Sequence, residues 1–269
     1  MKIVVVINTH CCPDVILDDI AAIKTWVTKD IILIIDGAAW EEIGNIEYGV
    51  KTIKGFIHNY PKGPYRNATL GLMEAYNTYP NMDWYCYCDW DTLFVSNGFL
   101  EDLRIAKKQG VWAIGNDINT EQYKFPLLET MLKTEFDCAK YILACCMFFS
   151  GDFIKKLHSI DFFSRFLNLT DSFVNGEFPD YDGFDLLEHL YPTLAHHYHG
   201  KISQFAFYWP RTKEWRGDYK KYPMRWKPDL DFKTENFTEA CIMHPLKSYD
   251  HPIREYHRNK RKEFHANRL

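Results

Sequence analysis

The chain has 269 residues, of which 46% are hydrophobic and 16% aromatic, so it can bury a substantial core as one large α/β domain or two small ones. Its formal net charge of −4 gives no reason to expect general affinity for nucleic acid. No apolar run reaches the roughly 18 residues of a membrane span, and no secretory signal precedes the eight cysteines. We therefore expect a cytoplasmic protein with reduced thiols.

The beginning of the chain alternates strand and helix patterns. Residues 2–7 are almost all β-branched and predict a strand buried on both faces, as in a parallel sheet. Pro13 opens a helix pattern with apolar residues at helical spacing up to Trp26. Residues 31–35 predict a second strand. Strand, helix and strand in this order begin a βαβ unit, which predicts an α/β fold.

Polar residues at the ends of these two strands are the first candidates for a ligand site. Thr9, His10 and Asp36 would lie at the carboxyl edge of the sheet, where open α/β sheets bind ligands. The Asp36 carboxylate could accept hydrogen bonds from a ribose or a base edge. The alternative is that Asp36 and Gly37 only form a turn.

A third strand is predicted over residues 54–58, and a turn-rich loop and a helix over 68–76 follow it. Arg66 would lie at the start of this helix, where the helix dipole disfavours a cation unless an anion is also present. Arg66 is therefore a candidate contact for a diphosphate or a sugar, with an ordinary surface arginine as the alternative.

Two acids follow the most aromatic strand of the chain. Residues 84–88 predict a buried strand, and the chain then continues into Asp89 and Asp91. Alternate residues point the same way in extended backbone, so both carboxylates could face one point. Acids at the end of a buried strand are costly unless they are neutralised, and a divalent cation carrying a phosphorylated ligand would do so. Otherwise, Asp89 caps a turn and Asp91 is a solvated loop acid.

The middle of the chain continues the alternation of helices and strands. We predict a helix over 99–109, a strand over 111–114, a loop and helix within 117–137, and a buried strand over 141–149. The sheet is thus predicted to be mainly parallel, mixed and flanked by helices.

A second acidic cluster surrounds the start of another predicted helix, and its members are Asp180, Asp182, Asp185 and Glu188. Acids in the first helical turn are favoured by the helix dipole alone, which is the explanation without a catalytic role. The catalytic interpretation is a general base that removes a proton from an attacking hydroxyl.

The last third of the chain is rich in histidine, aromatic and basic residues. His196, His197 and His199 are interpreted as part of a solvated turn before a predicted strand over 202–208, because no cysteine or acid lies at zinc-site spacing. Residues 209–227 interleave aromatic and basic side chains and predict a mobile loop over a substrate. An apolar strand then leads to His244, and Lys247 follows.

The order of these features resembles the GT-A-fold glycosyltransferases, which use nucleotide sugars. The resemblance implies that Asp89 and Asp91 hold a divalent metal, manganese or else magnesium, which binds the donor diphosphate. It implies that His244 is a further metal ligand and that Lys247 contacts the diphosphate. In inverting members the base would be a carboxylate in the second cluster. We name Asp185, Glu188 and Asp182 as the candidates.

The function predicted from this resemblance is transfer of a sugar, typically a hexose, from a nucleotide diphosphate sugar (UDP-sugar favoured) to a hydroxyl of a glycan or lipid-linked acceptor. The predicted domain spans residues 1–250, with a nucleotide-sugar half at 1–95 and an acceptor half at 96–250. Residues 251–269 form a basic tail, either a solvated helix or a contact to an anionic membrane surface. The alternatives are a metal-dependent nucleotidyltransferase, disfavoured because residues 8–12 lack glycine, and a non-catalytic glycan-binding module.

Overall fold

The computed structural model describes residues 1–57, 63–121, 125–171, 187–209, 214–226, 230–231 and 238–267. Within them the strands are β1 (Ile3–Thr9), β2 (Ile31–Ile35), β3 (Lys51–Lys54), β4 (Trp84–Asp89), β5 (Leu93–Phe94), β6 (Val111–Glu121), β7 (Ala139–Ser150), β8 (Lys201–Gln204), β9 (Ala206–Trp209), β10 (Glu214–Gly217) and β11 (Ile242–Met243). The helices are α1 (Pro13–Trp26), α2 (Trp40–Ile43), α3 (Gly63–Thr78), α4 (Phe99–Lys108), α5 (Pro126–Leu132), α6 (Gly151–Ser159), α7 (Phe162–Asp171), α8 (Leu187–His197) and α9 (Pro252–Ala266).

The centre of the fold is a sheet of seven strands in the order β3-β2-β1-β4-β7-β6-β8. Strand β1 pairs in parallel with β2 and β4, and β2 with β3. Strand β7 is antiparallel to both β4 and β6, while β8 is parallel to β6. The predicted α/β fold with a mainly parallel, mixed sheet is confirmed.

Apolar side chains alternate between the two faces of the sheet, so each face supports its own core. In β1, Val5 and Ile7 join the core beneath α1 and α4, whereas Val4 and Val6 join the core beneath α3, α6 and α8. Gly71 of α3 faces β1 so closely that a Cβ atom there would lie 2.4 Å from Cγ1 of Val6. Helices therefore cover both faces, which explains why the strands are apolar throughout.

The strands that follow β1 in the chain lie on both of its sides. Strands β2 and β3 lie on one side of β1, and β4 lies on the other, with Asn8 paired to Asp89. The carboxyl ends of β1 and β4 are thus adjacent at the point where the strand order reverses, which is where open α/β sheets bind ligands.

Three predicted elements differ from the structure because pairing partners set strand limits. Strand β3 lies at Lys51–Lys54 instead of 54–58, since its register matches β2 there. Strand β6 continues to Glu121 because β7 pairs with it from Ala113 to Glu121, so the first five residues of the loop and helix predicted within 117–137 are strand, and the helix there is α5. The strand predicted over 202–208 divides at Phe205 into β8 on the main sheet and β9 on a separate hairpin with β10.

The basic C-terminal segment forms α9, which packs against α1. Arg254 is fully buried and its guanidinium contacts the carboxylates of Asp18 and Asp19, while the ring of Phe264 lies 4.7 Å from that of Trp26. This helix therefore directs part of its positive charge into the protein. Among the described residues, no helix is both long and apolar enough to cross a membrane, and the eight cysteines are free thiols.

Candidate metal centre

A small second sheet brings the end of the chain to the Asp-X-Asp segment. Strand β5 follows Asp91 directly and pairs antiparallel with β11, which ends at Met243. His244 therefore arrives beside Asp91. The amide of Leu246 then donates to the carbonyl of Asp91 over 3.0 Å, so both segments are joined through the main chain as well.

The ligand atoms of Asp89, Asp91 and His244 all lie within 4.8 Å of one another. Nε2 of His244 is 3.0 Å from Oδ1 of Asp91, and its Nδ1 is 2.8 Å from the carbonyl oxygen of Arg225. A carbonyl only accepts, so Nδ1 carries the proton and donates it there. This is the arrangement that orients metal-binding histidines, because it leaves Nε2 for the metal.

The electrostatics of this site are asymmetric. Asp89 is only partly accessible, and its desolvation together with the charge of Asp91 raises its pKa to about 7, although His244 offsets part of the shift. Burial also acts to raise the pKa of Asp91, but the hydrogen bond and charge of His244, with the charge of Lys247, outweigh burial and lower it. Burial lowers the pKa of His244, and Asp91 and Asp89 reverse this and raise it. The site is therefore short of positive charge at Asp89.

These residues fit a divalent metal. Two carboxylates and one imidazole are a donor set suited to manganese, and magnesium accepts the carboxylate oxygens. Among the described residues this is the one place where at least three such ligand side chains converge. Binding would displace the proton that Nε2 shares with Asp91 and supply the missing positive charge.

A relay of polar side chains that the sequence did not indicate supports Asp89. The hydroxyl of Tyr87 donates to Oδ1 of Asp89 over 3.2 Å, and Nδ2 of Asn8 donates to that hydroxyl over 3.3 Å. Thr92 donates to the carbonyl of Cys145 over 2.7 Å and anchors the segment from the other side. The spacing of two between Tyr87 and Asp89 on one strand was the available signal.

Glu188, in the first turn of α8, is the member of the second acidic cluster that the structure describes; Asp182 and Asp185 lie outside the described residues. Burial raises the pKa of Glu188 to about 7. Its negative charge contributes to the raised pKa values of Asp89 and Tyr141, so the carboxylate lies within electrostatic range of Asp89.

His189, next in the chain to Glu188, forms a contact that sequence reasoning missed. Its Nε2 lies 3.1 Å from Oε2 of Glu121, and its ring packs edge-on against that of Tyr141 with 5.2 Å between centroids. Helix α8 is thereby fixed against the extension of β6 and against β7. The extra length of β6 is what places Glu121 there.

The loop after β1 borders the site, but its two candidate residues differ in position. Thr9 is buried and its hydroxyl donates to the carbonyl of Cys11 over 3.0 Å, so it shapes the loop. His10 is exposed and packs edge-on against Trp90, with ring centroids 5.8 Å apart. His10 thus contacts the residue that lies between Asp89 and Asp91 in the sequence.

Asp36 and Arg66 are both buried and both retain an unused polar atom. Oδ1 of Asp36 accepts from the amide of Ala38 over 2.8 Å, whereas Oδ2 has no hydrogen-bond partner among the described residues. Arg66 stacks on the ring of Phe56 at 3.8 Å and donates to Asp171 over 2.9 Å, and its Nε lacks a partner within the same part of the chain. Arg66 thus forms an ion pair with Asp171 at the end of α7.

The remaining residues to be placed are Lys247 and the histidines at the end of α8, which are not among the three ligands. Lys247 is exposed, and its charge reaches Asp91. His197 is at the far end of α8, where its Nε2 lies 3.2 Å from Oγ1 of Thr134 and its ring packs on Phe136. The three histidines of this helix end are therefore separate from the metal centre.

Comparison with known proteins adds little to this geometry. No protein-family model matches the sequence, and no curated protein does. Among solved structures, a 4-diphosphocytidyl-2C-methyl-D-erythritol synthase from Anaerococcus prevotii is 12% identical with a TM-score of 0.41, over 76% of this chain and 86% of that one. A likeness this distant carries no argument about chemistry.

Proposed function

We propose that the protein is a metal-dependent glycosyltransferase that moves a sugar from a nucleotide diphosphate sugar to a hydroxyl acceptor. The observation that supports this most is the convergence of Asp89, Asp91 and His244 at the point where the strand order reverses. The family resemblance favours a UDP-sugar as donor and a glycan or lipid-linked acceptor.

Asp89, Asp91 and His244 would hold the metal, either Mn²⁺ or Mg²⁺. When bound, such an ion neutralises negative charge on a leaving diphosphate. His10 and Lys247, which are both exposed, would bind the donor's phosphates. Among the described groups, the unused Oδ2 of Asp36 is a buried acceptor for a nucleoside N–H or O–H at the end of the neighbouring strand.

Glu188 is our candidate for the general base of an inverting transfer. A base is most effective when its pKa lies near the working pH, and burial raises the pKa of Glu188 to about 7. Its carboxylate would take the acceptor's proton while the acceptor oxygen attacks the anomeric carbon and the nucleoside diphosphate leaves. Asp185 and Asp182 remain candidates for the same role.

Thermal shift with nucleotide diphosphates and nucleotide sugars, with and without Mn²⁺, tests this proposal. We expect one nucleotide to stabilise the protein only with metal, and Asp91→Asn to remove that shift. Asp137→Asn, at an exposed aspartate outside the site, is the matched control and should keep it. No shift with any metal and nucleotide contradicts the proposal.

The products then identify the reaction. A glycosyltransferase releases a nucleoside diphosphate as the acceptor hydroxyl is glycosylated. Release of pyrophosphate from a nucleoside triphosphate and a sugar phosphate would instead identify a nucleotidyltransferase. Binding of a glycan without turnover of any donor would identify a glycan-binding module.

A further inference from the structure

Arg254 of α9 connects the metal centre to α1. Its Nε donates to the carbonyl of Leu246 over 2.8 Å. Its Nη1 lies 3.0 Å from Oδ2 of Asp18 and 2.7 Å from Oδ1 of Asp19, and its Nη2 lies 3.3 Å from Oδ2 of Asp19. One fully buried guanidinium therefore bonds a loop carbonyl and two carboxylates of a helix at once.

The loop that Arg254 holds carries a metal ligand. Leu246 lies two residues after His244, and its amide donates to the main chain of Asp91 over 3.0 Å. The peptide groups around Leu246 are thus bonded on one side to the Asp-X-Asp segment and on the other to Arg254. Movement of this loop would change the distance between His244 and Asp91.

We propose that Arg254 is a positioning residue of the metal centre, which fixes the loop of His244 against α1 before a metal binds. This inference rests on the proposed function, since it assumes that the site binds metal. A guanidinium has five N–H donors in a rigid plane, so it can satisfy the loop and both carboxylates together. An ammonium has a compact charge and cannot reproduce that planar fork.

Two other arginines of α9 allow a positioning role of Arg254 to be distinguished from simple charge balance. Arg261 contacts a carboxylate oxygen of Asp18, and Arg258 lies 3.7 Å from the other oxygen. Arg258 also donates to the carbonyl of Tyr249, five residues after His244, over 2.6 Å, whereas no described contact joins Arg261 to the loop of His244. If the metal site depends only on charge balance around Asp18, replacing Arg261 should weaken Mn²⁺ binding as much as replacing Arg254 does.

The decisive experiment compares Arg254→Lys with the matched variant Arg261→Lys in the full chain. Three quantities are measured: hydrogen exchange of the Leu246 amide without metal, the Kd for Mn²⁺ from the electron paramagnetic resonance of free Mn²⁺, and stability in urea. We expect Arg254→Lys to speed Leu246 exchange and to raise the Kd for Mn²⁺ by about 10-fold, the lower end for partners that orient metal ligands. Arg261→Lys should lower stability and leave both other quantities unchanged.

Equal increases of the Kd in the two variants, or an unchanged Kd in Arg254→Lys, would overturn the positioning role. If Arg254→Lys does not fold, Asp19→Asn replaces it, because this change keeps the guanidinium and weakens the carboxylate that holds it. We expect faster Leu246 exchange and a raised Kd for Mn²⁺ in Asp19→Asn as well. No change in either quantity would overturn the positioning role. Failure of the wild-type protein to bind Mn²⁺ would refute the proposed function and the metal role together. Normal Mn²⁺ binding with unchanged Leu246 exchange in the variant would refute the positioning alone.

Discussion

The protein contains two pairs of neighbouring acids that are contacted by different kinds of side chain. Asp18 and Asp19 on α1 are buried, and arginines of α9 surround them, with Arg254 bonded to both. Asp89 and Asp91 at the end of β4 have one imidazole in contact, His244, and one lysine within electrostatic reach. Arginine side chains contact the first pair, whereas an imidazole contacts the second.

The difference shows how a buried acidic pair is recognised as a ligand site. Removing carboxylates from water is costly, so each pair requires compensation. At α1 the compensation is internal and the helices are held together by it. Burial also raises the pKa of Asp19 to about 8, with Arg254 offsetting part of the rise, so a raised pKa by itself does not mark a ligand site. At β4, burial and Asp91 raise the pKa of Asp89 to about 7, and the partner that offsets part of this rise is His244. The second pair differs in its partner, because Nε2 of His244 can bind a cation, whereas the arginine guanidinium groups beside the first pair have no acceptor atom for one.

Neutralising one acid in each pair gives the largest expected effect and tests the comparison directly. Asp18→Asn should lower the free energy of unfolding by about 3–5 kcal/mol, since buried arginines lose their partner. Asp89→Asn should raise it by roughly 4 kcal/mol at pH 8 without metal, because the pKa is raised from 3.8 to about 7 and each pKa unit corresponds to about 1.4 kcal/mol.

The sign for Asp89 follows from its raised pKa. The folded state holds a proton up to about pH 7, whereas an unfolded aspartate releases it near 3.8, so stability falls as pH rises through this window. The gain of Asp89→Asn should therefore be complete at pH 8 and vanish near pH 3. Urea unfolding at several pH values measures both variants, and changes of the same sign at pH 8 would contradict the comparison.

Glu188→Gln should lose transfer activity and gain stability. The pKa of Glu188 is raised from 4.5 to about 7, so its folded form also loses stability as pH rises between these values. The variant should gain about 3 kcal/mol at pH 8 and little at pH 4. In the wild-type protein, kcat/KM should rise through pH 7 as the carboxylate forms. Glu129→Gln, at a carboxylate that accepts from the amide of Phe136, should show no such gain.

Saturation with Mn²⁺ should stabilise the wild-type protein by about 2.7 kcal/mol when the free ion reaches about a hundred times its Kd. Asp89→Asn and His244→Ala should remove this effect, whereas Asp18→Asn should retain it if the variant folds. Thermal melting at graded Mn²⁺ concentrations measures the shift. Equal stabilisation of Asp89→Asn would show that the ion binds elsewhere.

The smallest expected effect concerns the relay beneath Asp89. Tyr87→Phe removes a hydrogen bond to Oδ1 of Asp89, which should weaken Mn²⁺ binding by about 1 kcal/mol, or roughly fivefold. Tyr85→Phe is the matched control on the same strand, because Tyr85 donates to the carbonyl of Tyr79 instead. Isothermal titration distinguishes the two, and an equal loss in both would assign the effect to the strand.

The amino-acid sequence alone determined the local features of this protein. Strands β1, β2, β4 and β7 follow from unbroken apolar runs, since a strand covered on both faces needs apolar residues throughout. Asp89 and Asp91 could be identified as candidates because they interrupt such a run. His244 and Lys247 entered through a family resemblance, and the apolar residues before them carried little information by themselves.

Only the tertiary structure decided which distant residues meet. The pairing of β5 with β11 brings His244 to Asp91, and the packing of α9 brings Arg254 to Asp18. The pairing of β6 with β7 sets where Glu121 meets helix α8. Local periodicity records which face of an element is buried, but it does not record the partner, because many apolar surfaces are compatible with the same pattern. The charge balance of a buried site depends on those partners, and so it emerges only once the chain is folded.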